Sequence, residues 1–187
     1  GKVVLENGQE WRANAVVMAT EGPEVQRLLG RSEPRGSVSE TCLYFSTKKP
    51  PIKEPFLVLN GDGEGPVNNV AFPSMVSAAY APPGKHLVSV VVLGMPPGDA
   101  AGIESPVRAQ LGEWFGPMVH RWRHLKTYRI RHALPQQIPP TSDPTVPQPA
   151  VGPGIFVCGE YGSLPGIQWA MLSGHRSAEA VLAHLKR

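Results

Sequence analysis

The residues with the most chemical potential lie near the end of the chain. Gly159-Glu160-Tyr161-Gly162-Ser163-Leu164-Pro165-Gly166 follows the apolar run Ile155-Phe156-Val157-Cys158 and precedes a helical pattern starting at Ile167. A strand feeding a glycine-rich loop and then a helix start is a geometry that holds anions and polar ligands. The first N–H groups of the helix have no internal partner, and the helix dipole adds positive potential there. Ligands of open α/β sheets gather at the carboxyl ends of strands, and Glu160 lies just past such an end. A carboxylate there can accept hydrogen bonds from sugar or polyol hydroxyls. The same pattern also fits an ordinary strand–loop–helix joint with a solvated glutamate, because short glycine patterns are common by chance.

Other candidates carry less chemistry. His120 and His124 are four apart, but the segment from Trp122 to Leu134 alternates like a strand. Four strand residues span ~13 Å, too far to share a metal ion, so no metal site is expected. Arg121, Arg123, Lys126, Arg129 and Arg131 form a basic cluster. It reads as a solvated strand face, or one that pairs with another part of a larger protein, rather than as a phosphate site. Ser74, Ser163 and Cys158 lack the neighbours of a nucleophile, and Cys158 suits a small buried hydrophobe. Tyr44, Phe45 and Phe72 fit either a core or a pocket lining. Trp169 reads as core packing, with a ring over a cofactor or between domains as the alternative. His175 and Arg176 fall on the polar side of the last helix.

These residues need elements to hold them. Lys2-Val3-Val4-Leu5, Asn7-Gly8 and Trp11 to Ala19 read as a hairpin with a two-residue turn. Ala15 to Ala19 is apolar throughout, as in a strand buried on both faces. Pro23, Val25, Leu28 and Leu29 then predict a short helix that stops at Gly30. Residues 31–40 look like a crossover. Thr41 to Thr47, Phe56 to Leu59, Val67 to Phe72 and His86 to Leu93 read as strands. Glu104 to Phe115 reads as a helix with Ser105 as its cap and Pro106 in its first turn. Pro135 to Pro153 is a proline-rich connection. In the last helix Ile167, Ala170, Met171, Gly174, Ala178, Val181, Leu182 and Leu185 share one apolar stripe. Its small members Ala170, Gly174 and Ala178 would let a backbone or a flat ligand come close.

Composition narrows the classes. The 187 residues carry a net charge of +3 with only 18% charged residues, below the usual ~25%. Glycine and proline make up about 22% of the chain, under the ~25–30% of disordered segments. No apolar run approaches the ~18–20 residues of a membrane helix, and no signal sequence opens the chain. Cys42 and Cys158 are too few and too far apart for a disulfide framework. A reducing compartment, the cytoplasm or an organelle, is expected. The charge has no Lys/Arg block behind it, which disfavours nucleic acid. The chain opens at Gly1-Lys2, already in a strand pattern, and reads as a piece of a longer protein.

Two stretches resemble a known family. Ala15-Val16-Val17-Met18-Ala19-Thr20 with Gly22-Pro23 resembles the strand and loop that return to the cofactor in FAD-dependent oxidoreductases of the amine oxidase, protoporphyrinogen oxidase and phytoene desaturase group. Ile155 to Glu160, then Pro165-Gly166-Ile167, Ala170, Ser173-Gly174 and Ala178, resembles that group's C-terminal flavin motif. The resemblance spans the chain, taken as the C-terminal portion of a longer enzyme. It implies a mixed α/β (α+β) fold in two parts. Residues 1–33 and 150–187 would belong to the FAD/NAD(P)-binding domain, and 34–149 to a mixed-sheet substrate domain.

It also implies roles. Glu160 would bind a hydroxyl of the ribityl–pyrophosphate region of FAD, with Gly159 allowing close approach. The backbone N–H groups of Ile167 and Gln168, just after Gly166, would face the pyrimidine edge of the flavin. Thr20 would lie near the cofactor from the other strand. A small organic substrate would give a hydride equivalent to FAD; no acid–base residue is assigned. The family's N-terminal GxGxxG segment is not in this sequence, and Gly61-x-Gly63-x-Gly65 has no strand–turn–helix around it to replace it. Tight FAD binding is therefore expected only together with that N-terminal dinucleotide-binding part. Arg35-Gly36-Ser37-Val38 resembles the segment leading to a flavin-proximal lysine in many amine oxidases. The corresponding place falls near Glu40, which favours a desaturase-like or other oxidase over an amine substrate. The alternative is a non-catalytic interaction module of flavoprotein descent.

Overall fold

The computed structural model describes residues 1–31, 36–140, 149–160 and 164–186. Two compact units emerge: residues 1–38 with 134–187, and residues 39–133. The second unit is narrower than the expected stretch 34–149, since the described residues from 134 onward group with the chain ends.

In the first unit β1 (Lys2–Val4) and β2 (Glu10–Arg12) pair antiparallel, with Val4 opposite Glu10. The loop between them differs from the expected two-residue turn. A two-residue type I′ turn needs positive φ at both central positions. Here only Gly8 of the two has it, at 81°, and Asn7 does not. The Gly8 N–H donates to the Leu5 carbonyl and Leu5 N–H to the Gln9 carbonyl, which closes a longer loop. The second strand also stops at Arg12 instead of running on to Ala19. A separate strand, β3 (Val16–Met18), follows.

β3 lies parallel to β10 (Ile155–Val157), with Val16 opposite Ile155 and Met18 opposite Val157. The other edge of β10 takes β9 (Ala150–Gly152) antiparallel. That strand sits inside the stretch expected to be only a connection; residues 141–148 lie outside the described part. Phe156 and Val157 are buried, but Val17 is 43% exposed, so β3 is not covered on both faces. α1 (Gly22–Leu28) begins with Pro23 in its first turn and buries Val25, as its pattern predicts.

α4 (Ile167–Leu185) corrects the expected stripe. Ile167, Met171, Leu182 and Leu185 are all at least half exposed. The buried residue of the helix is Ser177. His184 stacks edge-on against Phe156 of β10, with ring centroids 5.7 Å apart, and Ser173 bonds the chain just past that strand. The helix therefore meets β10 along a more polar line, and its most apolar line is left open.

The second unit is built on a five-stranded sheet, in the order β5 (Leu57–Leu59), β6 (Val67–Ala71), β7 (His86–Leu93), β4 (Ser37–Thr47), β8 (Arg123–Pro135). β4 is longer than its expected span. It pairs antiparallel with β7 from Glu40–Leu93 to Thr47–His86. The short helix α2 (Pro73–Val76) and two 3₁₀ turns, Ala78–Tyr80 and Pro117–Arg121, were not foreseen.

α3 (Ala100–Phe115) covers the sheet. Its start differs from the expected cap at Ser105. Asp99 caps it, its Oδ1 accepting the Gly102 N–H at 2.8 Å. This earlier start adds Ile103 to the buried line of Val107 and Leu111, spaced by four. Pro106 sits inside the helix on its exposed side.

Leu43, Phe45, Val70, Phe72, Val88, Val90 and the α3 line form the core. Each such side chain contributes roughly 1.5–3 kcal/mol by leaving water. Phe45 and Phe72 thus belong to the core, while Tyr44 stacks edge-on with Tyr128. Buried Gln110 ties α3 to a loop, accepting the Val67 N–H (2.8 Å) and donating to the Glu64 carbonyl (2.6 Å). Gly65, at φ 73°, lies under this amide, where a Cβ would stand 2.6 Å from the Gln110 side chain.

Candidate functional site

The two parallel strands β3 and β10 end side by side. Their pairing continues one step further, where the Cys158 N–H donates to the Met18 carbonyl at 3.0 Å. The chain past both strands therefore leaves from one edge of the sheet. Thr20 follows β3 and is exposed; Gly159 and Glu160 follow β10 and are half-buried. No hydrogen bond joins Thr20 to Gly159 or Glu160 among the described residues.

Gly159 and Glu160 are both tied to α4. The Gly159 N–H donates to Ser173 Oγ at 3.1 Å, two turns into the helix. Glu160 Oε2 accepts the Gly166 N–H at 2.6 Å, just before the first helical residue. Glu160 therefore ties the end of β10 to the residue just before the helix, and its second oxygen lies on the same carboxylate for another donor. Residues 161–163, including Ser163, lie outside the described part.

Gly166 has φ 146°, a conformation open to glycine and strained for other residues. It precedes the helix with no side chain of its own. The Trp169 and Ala170 N–H groups both reach the Gly166 carbonyl. The N–H groups of Ile167 and Gln168 belong to the first turn, where a helix has no internal acceptor to offer. The Gln168 side chain folds back over Gly166, its Oε1 2.9 Å from where a Cβ would be. Ile167 is 81% exposed and Met171, one turn on, 71%. An open helix start with donors, an anchored carboxylate beside it and two exposed apolar side chains suits a ligand with a polar edge and a flat apolar body.

The other sequence candidates fall elsewhere. Cys158 is partly buried, and burial pushes its thiol above the usual cysteine range, so it favours the unreactive protonated form. His124 sits between Glu104 (3.3 Å) and Thr127 (2.8 Å). No group of three or more metal-ligating side chains occurs among the described residues. In the basic cluster Arg129 donates to the carbonyls of Gly98 and Pro96, and Lys126 lies over the Tyr128 ring. His175 pairs with Glu179 on the surface. Ser173 belongs to the resembling stretch but has no role assigned from sequence; the structure places it against the Gly159 N–H. Its spacing from Gly159 carries no signal until the helix is folded back on the strand.

Comparison with known proteins bears on the family and the fold. The sequence model of the flavin-containing amine oxidoreductases matches residues 1–182. No curated protein matches in sequence. The fold is similar to that of reduced UDP-galactopyranose mutase, at 13% identity and a TM-score of 0.65, over 98% of this chain and 42% of that one. It is similar to an oxidoreductase from Methanosarcina mazei, at 12% identity and a TM-score of 0.58, over 100% and 48%. It is also similar to glycine oxidase from Geobacillus kaustophilus, at 18% identity and a TM-score of 0.53, over 95% and 44%. The chain thus spans less than half the length of these structures. No helix among the described residues is long and apolar enough to cross a membrane.

Proposed function

Because the chain belongs to the flavin-containing amine oxidoreductase family, we propose that it is the C-terminal part of an FAD-dependent oxidoreductase acting on a small organic molecule. The observation that carries this is the Glu160–Gly166 closure at the start of α4, with the first-turn N–H groups of the helix beside it. When bound, FAD supplies the acceptor for a hydride equivalent. The residues present fit one side of that cofactor. Ile167 and Gln168 offer backbone donors to the polar edge of the ring. A helix N-terminus favours added negative charge there without reorganising. Glu160 accepts from a cofactor hydroxyl while holding Gly166, and Thr20 stands at the end of the neighbouring strand.

In this reading the unit 39–133 belongs to the substrate-binding domain. The place where a flavin-proximal lysine would mark an amine oxidase falls near Glu40, so a desaturase-like or other oxidase substrate is favoured. The exposed apolar stripe of α4 packs against the N-terminal dinucleotide-binding part of the same enzyme, which supplies the pyrophosphate and ribose contacts. Flavin content of the full-length protein, with and without Glu160, is the test. Purified protein that never takes up FAD would instead favour a non-catalytic module of flavoprotein descent.

A further inference from the structure

The second unit carries a cavity of about 740 Å³ that the proposed flavin chemistry does not use. Among the described residues five cations line it, Lys48, Lys49, Lys85, Arg121 and Arg123, and no carboxylate does. None of the five is in an ion pair among the described residues. Each comes to the cleft by a definite piece of backbone. The buried Thr47 hydroxyl donates to the Lys49 carbonyl (3.0 Å) and accepts the Lys49 N–H (3.3 Å), which fixes the corner holding both lysines. Thr47 pairs with His86, so that corner lies beside Lys85. Trp122 is 2% exposed, and this inward side chain turns its neighbours Arg121 and Arg123 outward.

The cavity lies at the carboxyl end of β4 and the amino end of β8. The chain crosses between its two units at the opposite ends of these strands. Like charges held around one cleft raise each other's energy, and a ligand of matching opposite charge relieves that. One carboxylate would balance one of the five; adjacent phosphoryl groups balance three or four. Met118 and Leu125 give the cleft an apolar wall for the rest of such a molecule. The volume lies within the ~300–1,000 Å³ of small-molecule sites.

We propose that this cleft binds a small organic phosphate bearing two or more linked phosphoryl groups. The inference stands apart from the flavin reading, since every described lining residue belongs to the second unit. The test is calorimetric titration of the full-length protein with inorganic pyrophosphate and, separately, sulfate. FAD is kept in excess so that any flavin pyrophosphate site is filled. Pyrophosphate is expected to bind at least tenfold more tightly than sulfate. Lys49→Gln and Arg121→Gln should each weaken it by roughly fivefold, as expected for partly exposed charge pairs. Arg131→Gln, a cation outside the cleft, should leave it unchanged. Lys85→Gln, in the turn just before β7, repeats the test from a separate segment should either variant fold poorly. Equal binding of the two anions would overturn the proposal, as would equal losses in Arg131→Gln. An oligonucleotide that binds more tightly than pyrophosphate and displaces it would also overturn it, marking a nucleic-acid surface.

Discussion

Glu160 and Gly166 are joined side chain to backbone. The carboxylate Oε2 accepts the Gly166 N–H at 2.6 Å and so ties the end of β10 to the residue before the first turn of α4. The carboxylate thus has two duties, one to the fold and one, in the proposed enzyme, to the cofactor. The two separate by substitution. Glu160→Gln keeps an oxygen acceptor for Gly166 and removes the charge. Glu160→Ala removes both, at a cost of about 1–2 kcal/mol in stability. Thermal unfolding should rank Ala well below Gln. FAD titration should show both weakened, with Ala the weaker binder by about tenfold relative to wild type, the equivalent of ~1.4 kcal/mol.

Gly166→Ala tests the loop from the other side. At φ 146° a side chain is strained whatever the space, and the cost is about 1–3 kcal/mol. The new methyl would also press on Gln168. Adding Gln168→Ala removes that pressure and leaves the backbone strain. The double variant should therefore recover only part of the lost melting temperature. Full recovery would place the cost in the side chain alone.

Gln110 gives a contrasting prediction. Gln110→Ala leaves the Val67 N–H without its partner in a buried place and should cost about 1–3 kcal/mol. Chemical denaturation should show that loss. FAD affinity of the full-length protein should be unchanged, because the bond lies within the second unit.

Cys158 predicts a pH dependence. Burial raises its thiol pKa, so at a given pH less thiolate is present than in a free cysteine. Alkylation at Cys158, located by mass spectrometry, should be slower than that of free cysteine at pH 8. It should still be climbing with pH where free cysteine has levelled off. Rapid labelling at neutral pH would contradict the burial.

The sequence carried the strands of both units because their patterns are strong and local. β7 matches its expected span, and the parallel pair β3 and β10 falls where the two apolar runs lie. Cap and turn choices were less legible. Asp99 outcompetes Ser105 because the helix gains buried Ile103, and tertiary packing decides such a start. Asn7-Gly8 has the letters of a tight turn, yet Asn7 keeps negative φ. β9 is a short edge strand formed by pairing with β10, which a proline-rich stretch does not advertise. The stripe of α4 failed most usefully. Periodicity identifies an apolar line but not what covers it, and here Ile167 and Met171 remain open. At the site, Glu160 was legible from its place after a strand, and its bond to Gly166 was not. Ser173 was legible as part of the resembling motif, and its bond to the Gly159 N–H became visible only with the helix folded back.

The exposed line of α4 has its own test. Leu182→Glu alters a residue of that line that is 57% exposed and lies far along the helix from the Ile167 end. If the line packs against the N-terminal part, the variant of the full-length protein should hold markedly less flavin. Hydrogen exchange across 39–133 should stay as in the wild type. Unchanged flavin content would place the contact elsewhere.

The most direct measurement is the visible absorption spectrum of the purified full-length protein, after exchange into flavin-free buffer, beside that of Glu160→Ala. The expected result is a retained two-band flavin spectrum in the wild type and a depleted one in the variant. A colourless wild-type protein that stays colourless after equilibration with excess FAD would contradict flavin binding at the Glu160–Gly166 turn.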